Sequence, residues 1–423
     1  MSDTLQRSSL LTALVDPAAP TTVGDHAYTG GSRGVLILTL IGIALLSVSL
    51  VVGFSEPLRE QFYFSYLIGW TFCLSLALGS LFAVMIKHLV RAHWIVALRR
   101  IPEAAAASFP LLAILFIPIL IGLFDAHGPY HHWAVEGIAD PADSHYDEIL
   151  AGKVAYLNRP FFLIRIALYF TLWTFIAGRL WWLSLLQDTT RNVGISARQR
   201  HLSAWGIPVT GVTTAFASFD ILMSLDPHWF STIFGVYFFS GAFMAAFAFV
   251  ALCLMILQRG GMLRGVVTAE HYHDLGKLMF GFVVFWAYIA FSQYMLYWYG
   301  GIPEETVWFK HRLEHGWETH SAVLLVGHFI LPFILLLPRA VKRIPLLLGI
   351  MAVWLLVMQW FDLHWLAMPV LHGDHAMFHW LDIVCWAALV CVFCGAMFWR
   401  LSRHSIVCSG DPQLGKSLRF ENV

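Results

Sequence analysis

Ten separate stretches of this chain are each apolar for about the 20 residues that a helix needs to cross a bilayer. They run near 35–54, 62–86, 106–124, 161–186, 204–224, 231–257, 278–300, 320–337, 346–368 and 379–400. A soluble core could not hide this much apolar surface, because 59% of the 423 residues are hydrophobic and only 12% are charged. The expected fold class is therefore all-α: a polytopic membrane protein with ten transmembrane helices. Residues 1–34 form a polar N-terminal segment, 35–400 the transmembrane domain and 401–423 a tail. No short apolar core precedes a cleavage site, so no signal peptide is expected. The net charge is zero, which points to no nucleic-acid partner.

Lysine and arginine set the expected orientation. The termini and even-numbered loops hold nineteen of them, and the odd-numbered loops hold five: Arg59, Lys153, Arg159, Lys310 and Arg312. Both termini are expected in the cytoplasm. The long loops near 125–160 and 301–319 then face outward; their acids and tryptophans suit either a docking surface or a solvated lid.

The stretch 216–241, FASFDILMSLDPHWFSTIFGVYFFSG, joins two apolar runs through a turn of a few residues. Pro227 stops the helix, and Asp220 lies about 6 Å below the lip at 1.5 Å per residue. A carboxylate there needs a basic or backbone partner, a proton or water. Other ionisable residues gather in the same outer half: Asp125 and His127, His320 and His328, Asp362 and His364, His379 and Asp382. His328 is about 12 Å in, near the midplane. Thr213 with Asp220, Gln359 with Asp362, and His379 with Asp382 can each share a helix face. Carboxylates and imidazoles are the groups a proton path uses, so Asp220, His328, Asp362, His364, His379 and Asp382 are expected to line one, although each alone also fits a structural role. In the inner half Arg179 is the clearest charge and lacks an evident carboxylate.

Redox centres and metals find little support in the residues. A b-type haem needs two histidines at matched depth on different helices, and nothing matches His328. The six cysteines form no Cys-x-x-Cys-His motif; Cys391 and Cys394 suit helix packing. His271 and His273, read as a loop pair, do not make a metal site. Prolines at 110, 118, 208 and 332 are expected to bend their helices.

The segments FDILMSLDPHWFSTIFGVYFFSGAF (219–243), HYHDLGKLMFGFVVFWAYIAFSQYMLYWYGGIPEETVW (271–308) and HFILPFILLLPRAVKR (328–343) resemble the ActF-type membrane subunit of bacterial alternative complex III, a quinol:electron-acceptor oxidoreductase related to the NrfD/ActC family. The resemblance implies two four-helix bundles plus two further helices in the bacterial inner membrane. It implies partners in the respiratory chain: an ActC-type paralogue holding the quinol site, an iron–sulfur subunit, c-type cytochrome subunits carrying haem c and, in some assemblies, a terminal oxidase. It further implies no redox centre in this chain and a role in proton translocation. The residues carried over with the motifs are Asp220, Asp226, His228, His273, Asp274, Lys277, Gln293, Glu304 and Glu305.

Two other functions remain compatible with the residues. Asp220, His228, Trp229 and Tyr237 could form a quinol site in this chain itself, given an aromatic-walled pocket open to lipid. A free-standing transporter fits less well, because no inverted repeat is evident.

Overall fold

The computed structural model describes residues 28, 32–373 and 375–422. The expected N-terminal segment therefore lies mostly outside the described residues. Among the described residues, ten helices are long and apolar enough to cross a membrane: α1 Ser32–Gly53, α2 Arg59–Val90, α3 Arg100–Gly122, α4 Arg159–Thr190, α5 Gly194–Leu225, α6 Phe234–Arg259, α7 Ala269–Gly300, α8 Trp317–Leu336, α9 Pro345–Leu371 and α10 Trp380–Leu401. Among the described residues there is no strand.

Several helices outrun the apolar runs that announce them, because hydropathy marks the bilayer while capping groups mark the helix end. Asn158 Oδ1 accepts from Phe161 N at 2.9 Å and starts α4. The amide of Thr268 donates to His271 Nδ1 at 3.1 Å and starts α7 nine residues before its expected boundary. The His271–Asp274 segment is thus the first turn of a helix, not a loop.

Helices α2–α5 pack as one four-helix bundle and α6–α9 as a second. The bundles join where α6 meets α2 and α5 and where α9 meets α2, while α10 lies along α1 and α2. At the centre is α2, whose most apolar stretch is wholly buried. It also repairs α3, which breaks into three pieces, with Pro110 and Pro118 at the starts of the second and third. Carbonyls released at the second break are taken by α2 side chains: Trp70 Nε1 donates to Leu112 O at 2.9 Å and the Tyr66 hydroxyl to Leu115 O at 2.7 Å. Pro332 follows a π-helical turn, Leu325–Ile330, that carries His328.

Close helix contacts use small residues, as association in lipid requires. A Cβ on Gly79 would stand 2.3 Å from the Ala242 carbonyl oxygen, and one on Gly42 would stand 2.9 Å from Cys391 Cβ. Gly79→Val is expected to force α2 from α6 and cost at least about 1–3 kcal/mol. Unfolding of the purified variant in mixed micelles measures this, and an unchanged midpoint would mean the contact yields freely.

Two faces cap the helices. The loop face carries residues 123–158 and 301–316, and the tail face carries residues 402–422. The tail lies on the bundle: Ser417 Oγ donates to Trp94 O at 2.7 Å, and Lys277 Nζ donates to Asn422 Oδ1 at 2.8 Å.

Candidate functional site

At the loop face, the turn after α5 is clasped by both long loops. Lys153 Nζ donates to Pro227 O at 2.6 Å, and His228 Nε2 lies 2.8 Å from Asp147 Oδ2. That contact holds Asp147 below the ordinary carboxylate range. Trp229 stacks on Trp308 with centroids 4.2 Å apart. Several loop charges are therefore committed to holding the turn. Glu304 and Glu305 begin the helix Pro303–His311, where carboxylates complement the macrodipole.

The loops enclose a cavity of about 410 Å³ lined in part by His132, Asp226, His228, His311, Arg312 and His315. Arg312 is 1% exposed. Its guanidinium lies 3.4 Å from the centroid of Trp308, and it donates to the carbonyls of Trp308 (2.9 Å) and Leu366 (2.8 Å). Burial pushes Arg312 down to about 9, while Asp226 and Tyr237 pull the other way. The arginine thus sits between this vestibule and the buried groups below.

The first of these groups is Asp362, 2% exposed on α9. It accepts from the Tyr237 hydroxyl on α6 and from Trp286 Nε1 on α7 at 3.2 Å. Both donors are neutral, and among the described residues Asp362 forms no ion pair. His328 is fully buried and stacks on Trp286, with centroids 4.0 Å apart and neither ring nitrogen hydrogen-bonded. Asp362, Tyr237, Trp286 and His328 thus bring four helices together.

A second cluster lies on the other side of α9. Residues two apart on a helix point about 200° apart, so His364 faces away from Asp362. His364 Nε2 is 3.5 Å from Asp382 Oδ2. Asp382 accepts from Ser65 Oγ (2.5 Å), Gln61 Nε2 (3.0 Å) and the His379 amide (2.8 Å), and Gln61 Oε1 contacts His372 Nε2 at 2.7 Å. Burial holds His372 below its ordinary range against the pull of Asp382. Nearby, His320 stacks on Phe361, and neither of its ring nitrogens has a hydrogen-bond partner.

Asp220 and His379, both expected on the proton path, are engaged in structural contacts. Asp220 is fully buried and closed by a two-point contact with Arg165, Nη2–Oδ1 at 2.7 Å and Nε–Oδ2 at 2.9 Å, with the Tyr169 hydroxyl at 2.8 Å. Its charge is neutralised in place, so it braces α4 against α5. His379 caps α10, its Nδ1 accepting from Leu381 N at 3.3 Å. The quinol-site set of Asp220, His228, Trp229 and Tyr237 does not converge either, since each turns to a different partner.

The remaining motif residues are structural contacts. Asp274 pairs with Lys277 at 2.5 Å beneath the tail, with His273 in the same helical turns. Gln293 accepts from Ser231 Oγ at 3.2 Å. Arg179 is exposed over Trp182, so the expected inner-half charge does not exist there. A buried network stands at the tail face instead: Lys87, Arg99 and Arg100 with Glu103, Asp188 and Asp411. Hydropathy hides it because these residues lie at span ends and are covered by the tail. Arg165 had a readable signal, since it stands in α4 at a depth that matches Asp220. Arg312, Gln61 and Trp286 had none.

No protein-family model matches this chain, and no curated protein does.

Proposed function

We propose that this chain is a membrane subunit of the ActF type in a quinol:electron-acceptor oxidoreductase of the bacterial inner membrane. In this reading it carries no redox centre, supports an ActC-type paralogue with iron–sulfur and c-type cytochrome subunits, and opens a proton half-path from the loop face toward the middle of the bundle. The loop face then lies outside and both termini in the cytoplasm, as the distribution of basic residues favours.

The observation that carries the reading is Asp362. It is a buried carboxylate with only neutral donors, held beneath a histidine-lined vestibule with Arg312 between. A carboxylate without a cation in a membrane interior bears an uncompensated charge or a proton, and the exchange between the two is what a relay needs. The path runs from the vestibule past Arg312 to the Tyr237 hydroxyl and Asp362. Asp382, held by three donors, anchors α2 to α10 and stands aside from it.

The test uses the tagged chain purified from its native membranes. It is expected to bring down haem- and iron–sulfur-bearing subunits with quinol-oxidising activity. In proteoliposomes containing that complex, Asp362→Asn should lower proton release per quinol while oxidation and assembly persist. Co-purification without any redox partner would reject the assembly, and unchanged proton stoichiometry would reject the path.

A further inference from the structure

The tail face holds a second cavity, of about 400 Å³, between the end of α2 and the start of α5. Its walls include Lys87, His88, Arg91 and Arg200, with Gly194 and Ser196 from the first turn of α5 and Gln413 from the tail. No carboxylate lines it. Nearby acids are already engaged: Asp411 with Lys87 at 3.0 Å and Arg99 at 2.5 Å, Glu103 with Arg99 at 2.7 Å, and Asp188 with Arg100. Three buried cations are thus balanced by three acids, of which Glu103 and Asp411 are buried and Asp188 is half-buried. Arg91 and Arg200 stand outside that balance, with no ion pair among the described residues. His88 is 4% exposed and its Nε2 has no hydrogen-bond partner. The helix starting at Gly194 runs 28 residues, and its N-terminal dipole adds positive potential.

We infer that this pocket binds a phosphate group, taken from the headgroup of an anionic phospholipid or from a soluble phosphate compound. Guanidinium groups of Arg91 and Arg200 supply charge-assisted hydrogen bonds, and His88 Nε2 offers a further contact. The pocket lies where α2 ends and α5 begins, a depth open to both a lipid headgroup and the aqueous phase. The tail wall at Gln413 is held by Asp411, whose side chain accepts from the Gln413 amide at 2.9 Å.

The full chain, purified in detergent, is examined by native mass spectrometry and by its thermal midpoint with added phosphatidylglycerol, phosphatidylcholine or inorganic phosphate. Saturable retention of phosphatidylglycerol over phosphatidylcholine assigns the lipid source, and a saturable rise in midpoint with inorganic phosphate assigns the soluble one. In either case Arg91→Gln with Arg200→Gln should weaken binding about a hundredfold, and the matching lysine pair should restore part of it. Both arginines are at least partly exposed, so an unchanged midpoint without ligand confirms that the variants fold. Binding equal in the glutamine variant and the parent, or no saturable response to any probe, overturns the inference.

Discussion

Arg165→Leu is expected to destabilise the chain by about 3–5 kcal/mol, the usual result of removing one partner from a buried ion pair. Asp220 is fully buried on α5, and Arg165 supplies two of its three side-chain donors. Leucine leaves a carboxylate in the bundle with no cation and only neutral donors such as the Tyr169 hydroxyl. The same change frees Tyr156 O, which Arg165 Nη1 holds at 2.9 Å, and removes a guanidinium lying 3.8 Å from the Tyr156 ring centroid. Asp220→Leu added to Arg165→Leu should recover most of the loss, because burying two apolar groups carries no desolvation cost. Unfolding of the single and double variants in mixed micelles decides it. A double variant no more stable than the single would show that the charge itself was not the cost.

Asp411→Ala should release the tail, with a comparable local effect of about 3–5 kcal/mol, since two buried cations lose one shared acid. Lys87 then has no carboxylate among its contacts, and Arg99 keeps only Glu103. Hydrogen exchange over residues 402–422 should rise sharply in the variant while the ten spanning helices stay protected. Acid should act in the same direction. Burial raises the Asp411 carboxyl, but Arg99 and Lys87 outweigh it and hold the group below its ordinary range. A group depressed in the folded state contributes stability above its unfolded value, near 3.9, and loses it as pH falls through the folded value. The tail should therefore stay docked at neutral pH and loosen only in strong acid. Exchange that is indifferent to both changes would mean that Ser417 and Asn422 suffice to hold it.

Such contacts explain where sequence reading succeeded. Span number and approximate position follow from hydropathy alone, because a bilayer sets the length of each apolar run. Proline positions correctly marked α3 and α8 as irregular. Which carbonyls Tyr66 and Trp70 would satisfy was not legible, since that depends on α2 lying against the breaks. The collection of acids and imidazoles beneath the loop face was legible as composition. Its division was not: Asp220 and Asp362 look alike in sequence, yet one meets a guanidinium and the other a phenol and an indole.

The sequence by itself determined ten helices long and apolar enough to cross a membrane, their approximate limits and the position of each ionisable residue along its helix, because those depend on local apolarity and on 1.5 Å per residue. Only the tertiary structure decided which carboxylates are neutralised and which are not. Pairing depends on the direction in which a side chain leaves its helix and on what the neighbouring helix presents there, and neither is encoded within a single span.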